Sequence, residues 1–137
     1  MIYEKVAIIG SRSFTNSLLI KKFIFKLKNT KTIIVSGGQK LGADGYAKKY
    51  ALDFGLEYKE FPPAHYPWNS YCVLPAYEYG KKYSPINFFN RNGQIVEYAD
   101  IVIAFIPKNT KIEESKGTHD SCKRALKINK KVIVISG

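Results

Sequence analysis

Arginine is scarce in this basic chain: of 22 cationic residues only Arg12, Arg91 and Arg124 are arginines, the rest being lysines. A guanidinium offers phosphate or carboxylate a planar fork of donors that an ammonium cannot reproduce. Arg12 lies in "GSRSF" (10–14), where Gly10 permits a tight exit from an apolar run and Ser11 adds a hydroxyl. The stretch "VSGGQKLGAD" (35–44) sets Ser36, Gly37, Gly38 and Gly42 between an apolar run and a helix-like pattern, and closes on Asp44. Amides bare of side chains, with a helix dipole behind them, suit the close approach of a phosphate. The same glycines also suit a turn that requires positive φ. The stretch has neither the Gly-Lys-Ser/Thr of a Walker A loop nor GxGxxG spacing. In "ESKGTHDS" (114–121), Lys116, Gly117 and Thr118 open a helix with free amides, a cation and a hydroxyl, another seat for an anion. As a plain N-cap, Thr118 would be equally well placed.

These segments need a scaffold, and the apolar pattern supplies one. Short apolar runs recur at 5–10 ("KVAIIG"), 32–37 ("TIIVSG"), 101–106 ("IVIAFI") and 131–136 ("KVIVIS"), and read as strands buried on both faces. "EYKEF" (57–61) is more polar, as an edge strand would be. Between them, Ile20, Phe23, Ile24 and Leu27, and then Ala43, Ala47, Tyr50, Ala51 and Phe54, follow helical spacing. A third helix is expected from Ser84, with Pro85 in its first turn, through "INFFNRNGQIVEYA" (86–99). A fourth is expected after Gly117, with Thr118, Cys122, Ala125 and Leu126 inward. Alternating strands and helices predict an α/β fold: one Rossmann-like domain over 1–137, its five-stranded, mainly parallel sheet ordered 3-2-1-4-5 with helices on both faces. Ligands bind such sheets beyond the carboxyl ends of the strands, where strand order reverses. Residues 62–83 form a long connection rich in tyrosine, suited to stacking on a base, covering a pocket, or making a satellite core or subunit contact.

Composition narrows the classes. No apolar run approaches the ~18 residues of a membrane span, and the opening "MIYEKVAIIG" reaches glycine too early for a secretory signal, so a cytoplasmic location without membrane contact is expected. Cys72 and Cys122 form no CxxC, and His65 and His119 stand apart, so neither a metal site nor a cofactor is expected. The net charge of +11 suits a polyanionic partner, nucleic acid included, although lysines on solvated helix faces account for most of it.

The segments "IIGSRSF", "VSGGQKLGADGYA", "FPPAHY", "YGKKYSPINFFNRNGQIVEYADIVIAF" and "KGT" resemble, in order and spacing, small stand-alone proteins of the SLOG superfamily, which also holds the lonely-guy phosphoribohydrolases and the DNA-uptake protein DprA. The resemblance spans nearly the whole chain and implies a Rossmann-like fold that binds nucleotides or nucleotide-derived molecules. It places Gly10, Ser11, Arg12, Gly37, Gly38, Gly42 and Asp44 along the pocket. Arg91 and Asn92 match the family's "RN" pair, and Gly117 with Thr118 its phosphate-binding "GT". In the lonely-guy enzymes an Arg works with a Glu three residues beyond that Thr to cleave an N-glycosidic bond; here the position is Ser121. Cleavage through an oxocarbenium-like state wants a carboxylate, which leaves Asp44 or Asp120 to act with Arg91 if the protein is an enzyme. The usual "PGGxGT" reads "ESKGT", so Lys116 would supply by charge what the missing glycines do not.

The expected function is binding of a nucleotide or nucleotide-derived small molecule, as sensor or sponge of a signal such as an ADP-ribose-like compound or cyclic nucleotide. SLOG relatives are associated with nucleotide signals in microbial and viral conflicts. N-glycoside hydrolysis of a nucleoside monophosphate or related compound is the alternative, and single-stranded nucleic acid binding the second. A homo-oligomer is expected, with "NFFN" and the aromatic loop as its apolar surface.

Overall fold

The computed structural model describes residues 4–137. Five strands, β1 (Lys5–Gly10), β2 (Ile33–Ser36), β3 (Glu57–Glu60), β4 (Ile101–Ile106) and β5 (Lys131–Ser136), form one all-parallel sheet ordered β3-β2-β1-β4-β5. The helices are α1 (Ser17–Phe25), α2 (Gly42–Asp53), α3 (Ile86–Tyr98) and α4 (Lys116–Lys127). The expected α/β architecture and strand order are therefore those observed. No helix among the described residues is long and apolar enough to cross a membrane.

The two-residue period of the central strands divides the core. Val6 and Ile8 of β1, with Ile101, Ile103 and Phe105 of β4, face Ile20 and Ile24 of α1 and Ala43, Ala47 and Ala51 of α2. Ala7 and Ile9, with Val102 and Ala104, face Ile95 and Val96 of α3 and Cys122 and Ala125 of α4. Burying both faces explains why β1 and β4 read as unbroken apolar runs.

The local readings are refined at several ends. α1 starts where the Asn16 side chain accepts from the Leu19 amide at 3.4 Å. α3 starts at Ile86 with Pro85 as its N-cap, and α4 starts at Lys116, so Gly117 lies inside its first turn. Leu126 is not inward: it is 61% exposed. The buried stripe of α4 is Thr118, Ser121, Cys122 and Ala125, and Leu126 falls a further ~100° around the helix.

The larger correction concerns β5, expected to be buried on both faces. Ile133 is 38% and Val134 45% exposed, because β5 pairs only with β4 and no described element covers its outer flank. β3, the expected edge, is the better shielded of the two outer strands. The Glu60 amide donates to the Tyr71 carbonyl at 2.9 Å and the Val73 amide to the Glu60 carbonyl at 3.2 Å, so the 62–83 connection runs beside its end. That connection also packs its own aromatics: Tyr71 meets Tyr58, and His65 meets Tyr66, Tyr83 and Phe88.

Gly42 joins the exit of β1 to the start of α2. Its φ is +74°, and a Cβ there would lie 2.6 Å from Arg12 Cα. Gly55 has a similar φ of +73° with nothing within 4 Å of the same position. Gly55→Ala is expected to cost only the left-handed penalty of roughly 1–2 kcal/mol. Gly42→Ala adds a backbone overlap of roughly 1–3 kcal/mol, and urea unfolding midpoints of the two variants should separate accordingly.

Candidate functional site

A cavity of ≈ 230 Å³ lies over the carboxyl end of β1, between the start of α2, the middle of α3 and the amino end of α4. Its walls bring together Gly10, Ser11, Arg12, Asp44, Arg91, Asn92, Lys116, Gly117 and Thr118. These come from four separate segments, and the sheet order that sets β1 against β4 is what assembles them.

Arg91 is the fixed cation. It is 8% exposed, and its Nη1 donates to the Gly37 carbonyl at 2.9 Å and the Phe61 carbonyl at 3.2 Å, while Nε donates to Asn92 Oδ1 at 3.1 Å. Its Nη2 makes no hydrogen bond to another described residue. Burial lowers its pKa from the ordinary value, and the Asp44 charge opposes that shift. Arg12 is exposed at the opposite wall and Lys116 at the rim, so three cations from different segments surround one opening.

Asp44 is the carboxylate of this cavity. Burial raises its pKa from 3.8 to about 6, against the pull of Arg91 and of the Gln39 and Gly37 amides. Asp120 sits elsewhere, lining a groove between α3 and α4. There it accepts from Arg124 Nε at 2.8 Å and Asn92 Nδ2 at 3.2 Å. Asn92 thus has one side against the cavity and its amide committed to α4.

The glycine-rich stretch after β2 takes a different place. Ser36 is fully buried, its hydroxyl 2.6 Å from that of Tyr58. A Cβ on Gly37 would lie 2.8 Å from Asp44 Oδ2 and would collide with Arg91. One on Gly38 would lie 2.7 Å from Glu60 Cγ. Ser36, Gly37, Gly38 and Gly42 are absent from the cavity wall, and what comes close to these glycines is the protein itself.

At the amino end of α4, the Ser115 hydroxyl donates to Thr118 Oγ1 at 2.9 Å, and no side chain caps the helix. Its first amides remain available to an anion, with the helix dipole in support. Ser121 lines the cavity and donates to the Gly117 carbonyl at 3.1 Å. Sequence reasoning missed Gln39, Phe88, Phe89 and Ser115 as wall residues. Phe88 was within reach: it precedes Arg91 by three positions on a helix, hence on the same face, and its ring lies 5.7 Å from the guanidinium.

No protein-family model matches the sequence, and a search of curated proteins gives no match. Solved structures do match. DNA processing protein A from Helicobacter pylori, whose structure is described with its single-stranded DNA binding mode, superposes with a TM-score of 0.68 at 25% identity, over 95% of this chain and 64% of its own. The molybdenum cofactor carrier protein from Chlamydomonas reinhardtii matches at a TM-score of 0.68 and 16% identity, over 99% of this chain and 79% of its own. The fold is of the SLOG type. DNA processing protein A from Streptococcus pneumoniae also matches, at a TM-score of 0.61 and 19% identity over 96% of this chain. The chain spans 64% and 58% of the two DNA processing proteins, less than two thirds of each.

Asp44 gives the site a pH signature. With a pKa raised in the folded state, Asp44 adds stability that is complete below about pH 4 and is lost as pH rises through about 6. A displacement of about two pH units corresponds to roughly 3 kcal/mol. Urea unfolding across pH 4 to 7 should show Asp44→Asn lacking this loss, whereas an identical slope in both proteins would place the titration elsewhere.

Proposed function

We propose that this chain binds a nucleotide-derived small molecule, with a phosphate held between Arg12, Lys116 and the amino end of α4 and the sugar lying toward Asp44 and Arg91. The observation that carries this reading is the convergence of three cations and an uncapped helix start on one cavity at the point where strand order reverses. The volume of ≈ 230 Å³ is below the ~300–1,000 Å³ of pockets that enclose a whole drug-sized ligand, so it suits a phosphosugar whose remainder continues outward. Arg91 is held by carbonyls that do not depend on a ligand, so its free Nη2 is ordered in advance and binding costs little reorganisation.

Calorimetric titration with AMP, ADP-ribose and ribose 5-phosphate should give saturable binding. Arg12→Ala, which removes an exposed side chain with no hydrogen bond to another described residue, should weaken it by roughly 1.5–3 kcal/mol, tenfold or more. No saturation at millimolar concentration would refute the proposal. Chromatography of the recovered ligand separates binding from cleavage. Loss of the base would favour N-glycoside hydrolysis, for which Asp44, on the cavity wall beside Arg91, is the better placed of the two candidate carboxylates to stabilise an oxocarbenium-like state.

A second reading, single-stranded nucleic acid binding, is supported by the net charge of +11 and by the Helicobacter pylori neighbour at 25% identity. It expects oligonucleotide affinity to fall steeply between 50 and 200 mM salt, by ~10³ or more if six or more phosphates are contacted. Absence of a mobility shift at low salt would remove it.

A further inference from the structure

A second cavity, of ≈ 610 Å³, opens beside the first, over the carboxyl ends of β2 and β3. The turn 37–39 is the partition. On one side the Gly37 carbonyl holds Arg91; on the other the Glu60 side chain lies so close to Gly38 that only a glycine fits. Gln39 lines both cavities, and its side-chain amide makes no hydrogen bond to another described residue.

Glu60, the last residue of β3, is 3% exposed and borders this second cavity. Its Oε1 accepts from the Tyr58 hydroxyl at 2.9 Å and pairs with the Lys48 ammonium at 3.2 Å, while Oε2 accepts from the Asn69 amide. An ionised carboxylate has about four acceptor positions, so one, on Oε2, is not taken by another described residue. Asn69 is itself anchored, since its Oδ1 accepts from the Tyr71 amide at 2.8 Å. It holds Glu60 in place. Tyr66, 42% exposed, adds an aromatic face to the same cavity.

We propose that this second cavity seats the base of the nucleotide whose phosphate end occupies the first, and that the base is an aminopurine donating its exocyclic amine to Glu60. The proposal rests on the function proposed above and adds the identity of the base. Only a donor can complete the Glu60 carboxylate; a carbonyl oxygen turned toward it would meet like partial charge. The Tyr66 ring offers the stacking surface that a flat base requires. The Gln39 amide, which can both donate and accept, spans the turn between base and sugar.

The test compares AMP, purine riboside 5′-monophosphate, which lacks the amine, and ribose 5-phosphate, all titrated into the unaltered protein. AMP is expected to bind at least tenfold tighter than either. Glu60→Gln should abolish the preference of AMP over the amine-free analogue, and Tyr66→Ala, at a partly exposed position, should weaken AMP roughly tenfold while leaving ribose 5-phosphate unchanged. Equal affinity for AMP and the amine-free analogue, with ribose 5-phosphate still bound, would overturn this inference and leave the proposed function standing. Failure of all three to bind would overturn both. Because the decisive comparison uses the unaltered chain, it holds even if Glu60→Gln does not fold.

Discussion

Burying the Arg91 guanidinium is the constraint around which the carboxyl end of the sheet is arranged. A charge removed from water must be met by acceptors, and here they are the carbonyls of Gly37 and Phe61, the first residues past β2 and β3, and the side chain of Asn92. One side chain of α3 therefore fixes the exits of two strands. Gly37 must lack a side chain for this to happen, and Asp44 must tolerate burial beside a cation already occupied. The desolvation of Asp44 outweighs the attraction of Arg91, which is why its carboxyl titrates late.

Most of the architecture was legible because the central strands are buried on both faces. Runs such as "KVAIIG" and "IVIAFI" have no other use in a chain this size, and their boundaries in the structure are those of the apolar run. "KVIVIS" is similarly apolar and of the same length, yet its side chains are largely exposed. An apolar pattern records what a strand can bury, not whether the chain supplies a cover. At the site, Gly10 to Arg12, Asp44, Arg91, Asn92 and Lys116 to Thr118 do converge, since the strand order dictates which loops meet. The glycines after β2 were harder to read. A glycine announces that something comes close, and whether that is a phosphate or the side chains of Arg91 and Glu60 depends on contacts more than twenty residues away in sequence.

The chain's carboxylates show how environment divides one chemical group into several roles. Asp120 is half of an intrahelical pair with Arg124, Asp44 is buried at a cavity wall, and Glu60 ties β3 to the long connection through Asn69. The 62–83 segment, whose own regular structure is one short 3-10 turn at Ala76–Glu78, is thereby tied to a strand end. The proteins that share this fold at 25% and 16% identity are described, one with single-stranded DNA and the other as a carrier of molybdenum cofactor, as expected where the loops of a common fold set its chemistry.

The bare flank of β5 bears on how the chains treat one another. Its outer row of amides and carbonyls, with Ile133 and Val134 open to water, is a template for an added strand. The strand carries no proline, and its one charged residue, Lys131, stands exposed at its start. What opposes such pairing is the long-range repulsion between copies that each carry a charge of +11. Repulsion of that kind is screened within a Debye length of ~8 Å at physiological ionic strength, whereas a backbone template is not screened at all. Association through this edge is therefore expected to respond to the ionic medium.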